Sequence, residues 1–209
     1  EQIITKYPNL DFDICFYGYN EISENGKYIK TYEDSFSYVD NMNGENALKA
    51  KLNRTIWICQ GNALYRKQLI FEKNIYNIKG INQGEDFYFI CLMLAYSNSV
   101  KCVQCPGVNI RVLNSSMMHQ EYNESFKQSI IAAKNLFSRL TEDNKYKNKI
   151  DILSLVKVHI MEQRSHVAKK MILCKKFKIR ELLFRIAKLT SQDFDELKKL
   201  KKYIFFKKY

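Results

Sequence analysis

The 209 residues are 46% hydrophobic and 27% charged, enough to bury a core, which excludes a disordered chain. The longest apolar run, Phe87 to Tyr96, falls short of the ~18 residues that a membrane-spanning helix needs, and no basic-then-apolar signal opens the sequence, so a soluble chain is expected. The formal charge of +12 is concentrated: residues 169–209 hold 14 Lys/Arg against 4 Asp/Glu, whereas residues 1–168 hold 20 against 18. A basic tail can meet nucleic-acid phosphate, anionic lipid or only water.

In chain order, "FDICFYGY" (12–19) alternates Phe12, Ile14 and Phe16 against Asp13, Cys15 and Tyr17, the period of a half-buried strand. Asn25-Gly26 between two short strand-like pieces predicts a hairpin. Residues 31–44 read as polar and irregular, and 45–52 as a short helix. After Trp57, a loop or strand leads into a short helix near Lys67 to Glu72. "INQG" reads as a turn, and Glu85 to Tyr96 as a buried helix whose first turn carries two acids, where the helix dipole favours them. "SVKCVQ" and "GVNIRVL" are strand candidates split by Pro106-Gly107.

Strands and helices interleave to about residue 115, which predicts an α/β class. From Glu121 the chain reads as helices, with Phe126, Ile130, Ala133, Phe137 and Leu140, then Ile152, Leu155, Val156 and Ile160, at helical spacing. Two further helices are expected over 178–189 and from Thr190 onward. The expected division is therefore residues 1–120 and a helical, basic extension over 121–209.

Taken alone, Glu85-Asp86 is a helix N-terminal pair that stabilises free N–H groups. Its context is an ordered series: Trp57, Gly61-Asn62, a short helix, Gly84-Glu85-Asp86 opening a buried helix, then Arg111 and Ser115 to His119. That order resembles the second half of the catalytic domain of family 2 glycosyltransferases. These are inverting enzymes of the GT-A fold that build bacterial polysaccharides and glycolipids, such as capsule and lipopolysaccharide. The segment "DFDICFYGYNEISENGKYIK" is similar to the stretch that follows their metal-binding motif, and the resemblance covers roughly residues 8–120.

The resemblance implies the acceptor-side half of a GT-A-like mixed sheet and transfer of a sugar, with inversion, from a nucleotide-sugar donor to a glycan or lipid-linked acceptor. Asp86 is then the general base that takes the acceptor hydroxyl's proton, with Glu85 beside it. Gly61 would let the backbone approach a ligand, Asn62 would hydrogen-bond sugar hydroxyls, and Trp57 would offer an apolar face to a sugar ring. Arg111 would meet the diphosphate with its planar fork, while Ser115 and His119 complete the implied binding set, His119 near metal or pyrophosphate. The family's Mg²⁺ or Mn²⁺ is held by an Asp-x-Asp motif that closes an N-terminal nucleotide-binding region. Only ten residues precede Asp11 here, so a fragment of a longer enzyme, inactive alone, is expected. Asp11-Phe12-Asp13 and Asp193-Phe194-Asp195 have the letters but not the setting of that motif.

The remaining signals have plain explanations. Cys102-x-x-Cys105 lacks a second pair with zinc-ligand spacing and reads as the end of a buried strand, and the six cysteines fit a reducing cytoplasm. His159, Glu162 and His166 read as one satisfied helix face. In residues 169–209, lysines mixed with Leu, Ile and "YIFFKKY" suit an amphipathic contact with an anionic membrane, placing the protein at the inner face of the cell membrane; nucleic acid is the less favoured partner. The rival function is a noncatalytic module that binds a membrane surface or nucleic acid through this tail, with the acid pair only a cap.

Overall fold

The computed structural model describes residues 2–113 and 121–173. The chain divides into two compact units, residues 1–120 and 121–209. The first unit is mixed α/β around a four-stranded mixed sheet. Its elements are α1 (Gln2–Lys6), β1 (Ile14–Ile22), β2 (Tyr28–Thr31), α2 (Gly44–Leu52), β3 (Ala63–Tyr65), α3 (Lys67–Glu72), α4 (Glu85–Tyr96) and β4 (Val100–Arg111).

β1 organises the sheet. β4 runs parallel to it along its whole length, from Ile14↔Val100 to Ile22↔Arg111. β3 pairs antiparallel with residues 14–16 and β2 with residues 20–22, so these two short strands share the opposite edge of β1. The parallel pair needs a long crossover, which here contains α2, α3 and α4. The predicted alternation over 12–19 is corrected: Ile14, Cys15 and Phe16 are all fully buried, because the first half of this central strand is covered on both faces. The hairpin forms at Asn25-Gly26, with the Gly26 amide donating to Ser23 O at 2.9 Å.

The predicted break at Pro106-Gly107 is also corrected, since β4 is continuous from Val100 to Arg111. The ladder slips between Tyr17 and Tyr19, so that Gly18 faces Pro106 and Tyr19 faces Val108. Proline, which has no amide hydrogen for a ladder, is thus absorbed in a bulge. Residues 31–44 are less irregular than they read. A 3₁₀ turn over Tyr32–Asp34 buries Tyr32, which stacks on Tyr38 at 4.8 Å, and Met42 bridges to Val100.

Asp40 ties this segment to the sheet. Its carboxylate accepts from Lys6 Nζ (2.8 Å), Tyr7 Oη (2.7 Å), and the amides of Cys102 (2.9 Å) and Asn41 (2.8 Å). Burial alone would raise its pKa, but the bonds from Lys6, Tyr7 and the two amides prevail and hold it at about 2. A carboxylate depressed in this way stabilises the fold fully above its ordinary value of 3.8, and that contribution is lost as pH falls through 2. The half-exposed Lys6 partner limits it to about 1–2 kcal/mol. Melting temperature should accordingly drop between pH 4 and 2, and drop less in Asp40→Asn.

α2 packs on α4 through Gly44. A Cβ there would stand 2.2 Å from the carbonyl oxygens of Leu94 and Ser97, so only glycine lets the start of α2 sit on the end of α4. Asn43 caps α2 by accepting from Asn46 N at 2.8 Å. Gly44→Ala is expected to cost about 1–3 kcal/mol in urea unfolding, since neither backbone carbonyl can yield cheaply.

In the second unit a 3₁₀ turn (Glu124–Lys127) leads into α5 (Gln128–Glu142), which packs on α6 (Ile150–Leu173). Of the predicted stripes, Phe126, Ile130, Ala133 and Leu140, with Ile152, Val156 and Ile160 on α6, are buried, whereas Phe137 and Leu155 are only half-buried and Leu136 takes a core position instead. His159 stands 3.7 Å from Glu162 and 3.3 Å from Gln163, and His166 lies against the Phe126 ring. Among the described residues no helix is long and apolar enough to cross a membrane. Of the basic tail only 169–173, the last turn of α6, are described; the helices expected over 178–209 lie outside the described residues.

Candidate functional site

The site is built where α4 begins. Gly84 occupies the N-cap with φ +83°, a left-handed conformation that glycine adopts without a Cβ penalty, and it turns the chain into the helix. Glu85 and Asp86 follow at half-exposed positions, while Ile90 to Ala95 behind them are fully buried or nearly so. The glycine therefore supplies the cap, and the acids add to it through the helix dipole and through Asp86, which takes a first-turn amide. Asp86 Oδ1 accepts from the adjoining Phe87 amide at 2.7 Å. Glu85 Oε2 is buried with no hydrogen-bond partner among the described residues.

Trp57 is presented by simple alternation. Ile56 and Ile58 point into the core at 1% exposure each, which turns the residue between them outward, and Trp57 is 39% exposed. Its amide donates to the buried Tyr32 hydroxyl at 2.8 Å, and its ring lies 5.7 Å from Phe36. Against the indole, 3.9 Å from the ring centroid, stands the ammonium of Lys51, a residue only 8% exposed. Burial lowers the Lys51 pKa below its ordinary value, opposed by Cys91, Asp86 and Cys59. The Lys51 ammonium thus lies against the aromatic platform and within electrostatic reach of the Asp86 carboxylate.

Lys51 was legible only in retrospect. On α2 it falls four residues after Ala47 and three after Leu48, both fully buried, so it occupies the core-facing stripe where a lysine is out of place. The same neighbourhood includes Tyr65, whose hydroxyl donates to Cys59 O at 2.9 Å and whose ring meets Phe89 of α4 edge-on at 5.4 Å.

Asn62 is corrected. It is fully buried, with Oδ1 accepting from the Cys59 amide at 2.6 Å and Nδ2 donating to Tyr17 O at 2.8 Å and Trp57 O at 3.2 Å. Its amide is spent holding a 3₁₀ turn (Gln60–Asn62) on β1, and none of it is left for a sugar hydroxyl. Gly61 is exposed in that turn, and its carbonyl accepts from Tyr17 Oη at 3.1 Å. An added Cβ would touch nothing nearer than Cys59 Sγ at 4.0 Å, so packing does not require glycine there. Arg111 ends β4 and donates to Glu24 O in the hairpin at 3.3 Å, with no described contact to Asp86. Ser115 and His119 lie outside the described residues. A cleft of about 380 Å³ opens at the bulge, lined by Tyr17, Cys105, Pro106 and Gly107 with Gln2 and Ile3, and Asp86 is not in its wall.

For a divalent cation the described residues offer no cluster of three or more His, Cys, Asp or Glu ligands. Asp13 is engaged elsewhere: Oδ1 pairs with Arg66 Nε at 2.8 Å, and Oδ2 accepts from the amides of Asn98 (2.7 Å) and Ser99 (3.3 Å). The Mg²⁺ or Mn²⁺ that the resemblance implies therefore does not fit these residues, and Asp13 acts as a clamp between the start of β1, Arg66 and the end of α4. Asp193 and Asp195 lie outside the described residues. The five described cysteines are free thiols. Comparison with protein-family models, with curated proteins and with solved structures finds nothing that matches this chain.

Proposed function

We propose that the first unit is the acceptor-side half of a GT-A-like glycosyltransferase domain, with Asp86 as the general base of sugar transfer. The observation that carries this reading is a half-exposed carboxylate at the N-terminus of α4 whose charge acts on a buried lysine, the lysine itself lying against an outward-facing tryptophan. An indole face suits the C–H surface of a sugar ring, and a carboxylate beside it can take a hydroxyl proton. As the acceptor oxygen bonds to the anomeric carbon, its proton passes to Asp86, while the bond to the diphosphate breaks and its electron pair leaves with the nucleoside diphosphate. Glu85, whose Oε2 lacks a donor among the described residues, is the natural partner for a second acceptor hydroxyl. Arg111, Ser115 and His119 keep their implied roles toward donor or acceptor.

The test is release of nucleoside diphosphate by the full-length gene product, supplied with a panel of nucleotide sugars and with glycan or lipid-linked acceptors. Acceptor-dependent release supports sugar transfer. Binding of acidic liposomes or DNA without release from any donor would favour the noncatalytic reading.

A further inference from the structure

Burying a lysine removes the hydration of its ammonium, so its position calls for a compensating contact. At Lys51 that contact is aromatic: the ammonium stands over the Trp57 ring, well inside the ~6 Å at which a cation is attracted by a ring face. The helix packing explains how it arrives there. Gly44 sits on the last turn of α4, at Leu94 and Ser97, and Lys51 lies seven residues further along α2, roughly 10 Å away. α2 and α4 pack on each other, and the end of α2 lies within electrostatic reach of Cys91 and Asp86 on α4. The groups whose charge acts on the ammonium are Cys91 and Asp86 from α4, with Cys59 from the segment after Trp57. Burial pushes the Cys91 thiol up to about 12, which leaves it neutral, and Asp86 is the carboxylate among the three.

We propose that Lys51 is a positioning residue of the acceptor site, holding the Trp57 indole from the protein side and sharing its charge with Asp86. One buried side chain would then set both the platform on which a sugar rests and the charge environment of the base. Its use in catalysis rests on the acceptor-site reading above; the contact between Lys51 and Trp57 stands on the packing alone.

The chain has a single tryptophan, so its fluorescence reports this contact directly. In an alkaline titration of the 209-residue chain, Trp57 emission should change as Lys51 loses its proton, with a midpoint below the ordinary 10.5. Lys51→Met, an apolar replacement of similar length, should abolish that transition and leave only the response common to the 14 tyrosines. Asp86→Asn should move the midpoint further down, because the carboxylate favours the ammonium. A transition that persists in Lys51→Met, or a midpoint unmoved by Asp86→Asn, would overturn the proposal, and the second arm decides even where the methionine variant folds poorly. In the full-length protein Lys51→Met should raise the acceptor KM roughly tenfold, with partial recovery in Lys51→Arg. Fluorescence needs no turnover, so the intended coupling in a protein that transfers no sugar would overturn the acceptor-site reading while upholding the coupling itself.

Discussion

Asp86→Asn is expected to reduce sugar transfer by the full-length protein roughly 10²–10⁴-fold, the usual contribution of a positioned acid or base. The change is nearly isosteric, and the asparagine oxygen can still accept from the Phe87 amide as Asp86 Oδ1 does. Helix α4 is capped by Gly84 in its left-handed conformation, so it does not depend on Asp86 for its start. The structural loss is then small: the dipole interaction of a half-exposed acid, about 0.3–1 kcal/mol, and its attraction for the Lys51 ammonium. If Asp86 were only a capping acid, the variant would show that small stability change and full turnover. Comparing initial rates and urea midpoints of the two proteins separates the possibilities: a large rate loss with a nearly constant midpoint marks the base, and unaltered turnover removes Asp86 from that role.

Asn62→Ala should cost about 2–4 kcal/mol of folding stability. The side chain closes three bonds in a fully buried site, to the Cys59 amide and to the carbonyls of Tyr17 and Trp57, and alanine would leave all three backbone groups without their partner. The loss should appear as a lower urea midpoint with an unchanged slope. Asn62→Asp should be nearly as harmful, because it keeps the acceptor for Cys59 but turns a carboxylate oxygen toward two carbonyls. A sugar-binding asparagine would give the opposite pattern, with stability preserved and acceptor binding lost. Loosening this turn should also disturb Trp57, whose carbonyl it holds, so a red shift of the single tryptophan's emission is expected alongside the fall in midpoint.

Local signals in the sequence carried well where local physics decides. The hairpin at Asn25-Gly26, the helix after Asn43, the short helix over Lys67–Glu72 and the start of α4 at Gly84 all follow from turn residues, caps and spacing. The sequence was a weaker guide where distant segments decide. β1 looked half-buried because its polar letters alternate, but β4, more than eighty residues away, pairs along its edge, and Cys15 is buried with Phe12 and Val103 against Ile3 and Tyr7. Pro106-Gly107 looked like a strand break because the slip against Gly18 that accommodates it belongs to the pairing partner.

The site shows the same division. The sequence placed Glu85 and Asp86 in the first turn of α4, while the resemblance alone singled out Trp57; Asn62 read as a ligand because its role depends on carbonyls from β1 and from Trp57. Asp40 was invisible in a polar stretch, since its partners Lys6, Tyr7 and Cys102 converge only in three dimensions. Lys51 was hidden in the same way: a lysine in a short helix reads as solvated until the glycine contact between α2 and α4 fixes which face is buried.

The anomeric configuration of the first-formed product, read by proton NMR before any mutarotation, tests the assigned chemistry most directly. A single displacement assisted by Asp86 as base inverts the configuration at the anomeric carbon of the donor. A product of retained configuration would contradict it, because retention requires a second displacement or front-face attack in which Asp86 has no such part.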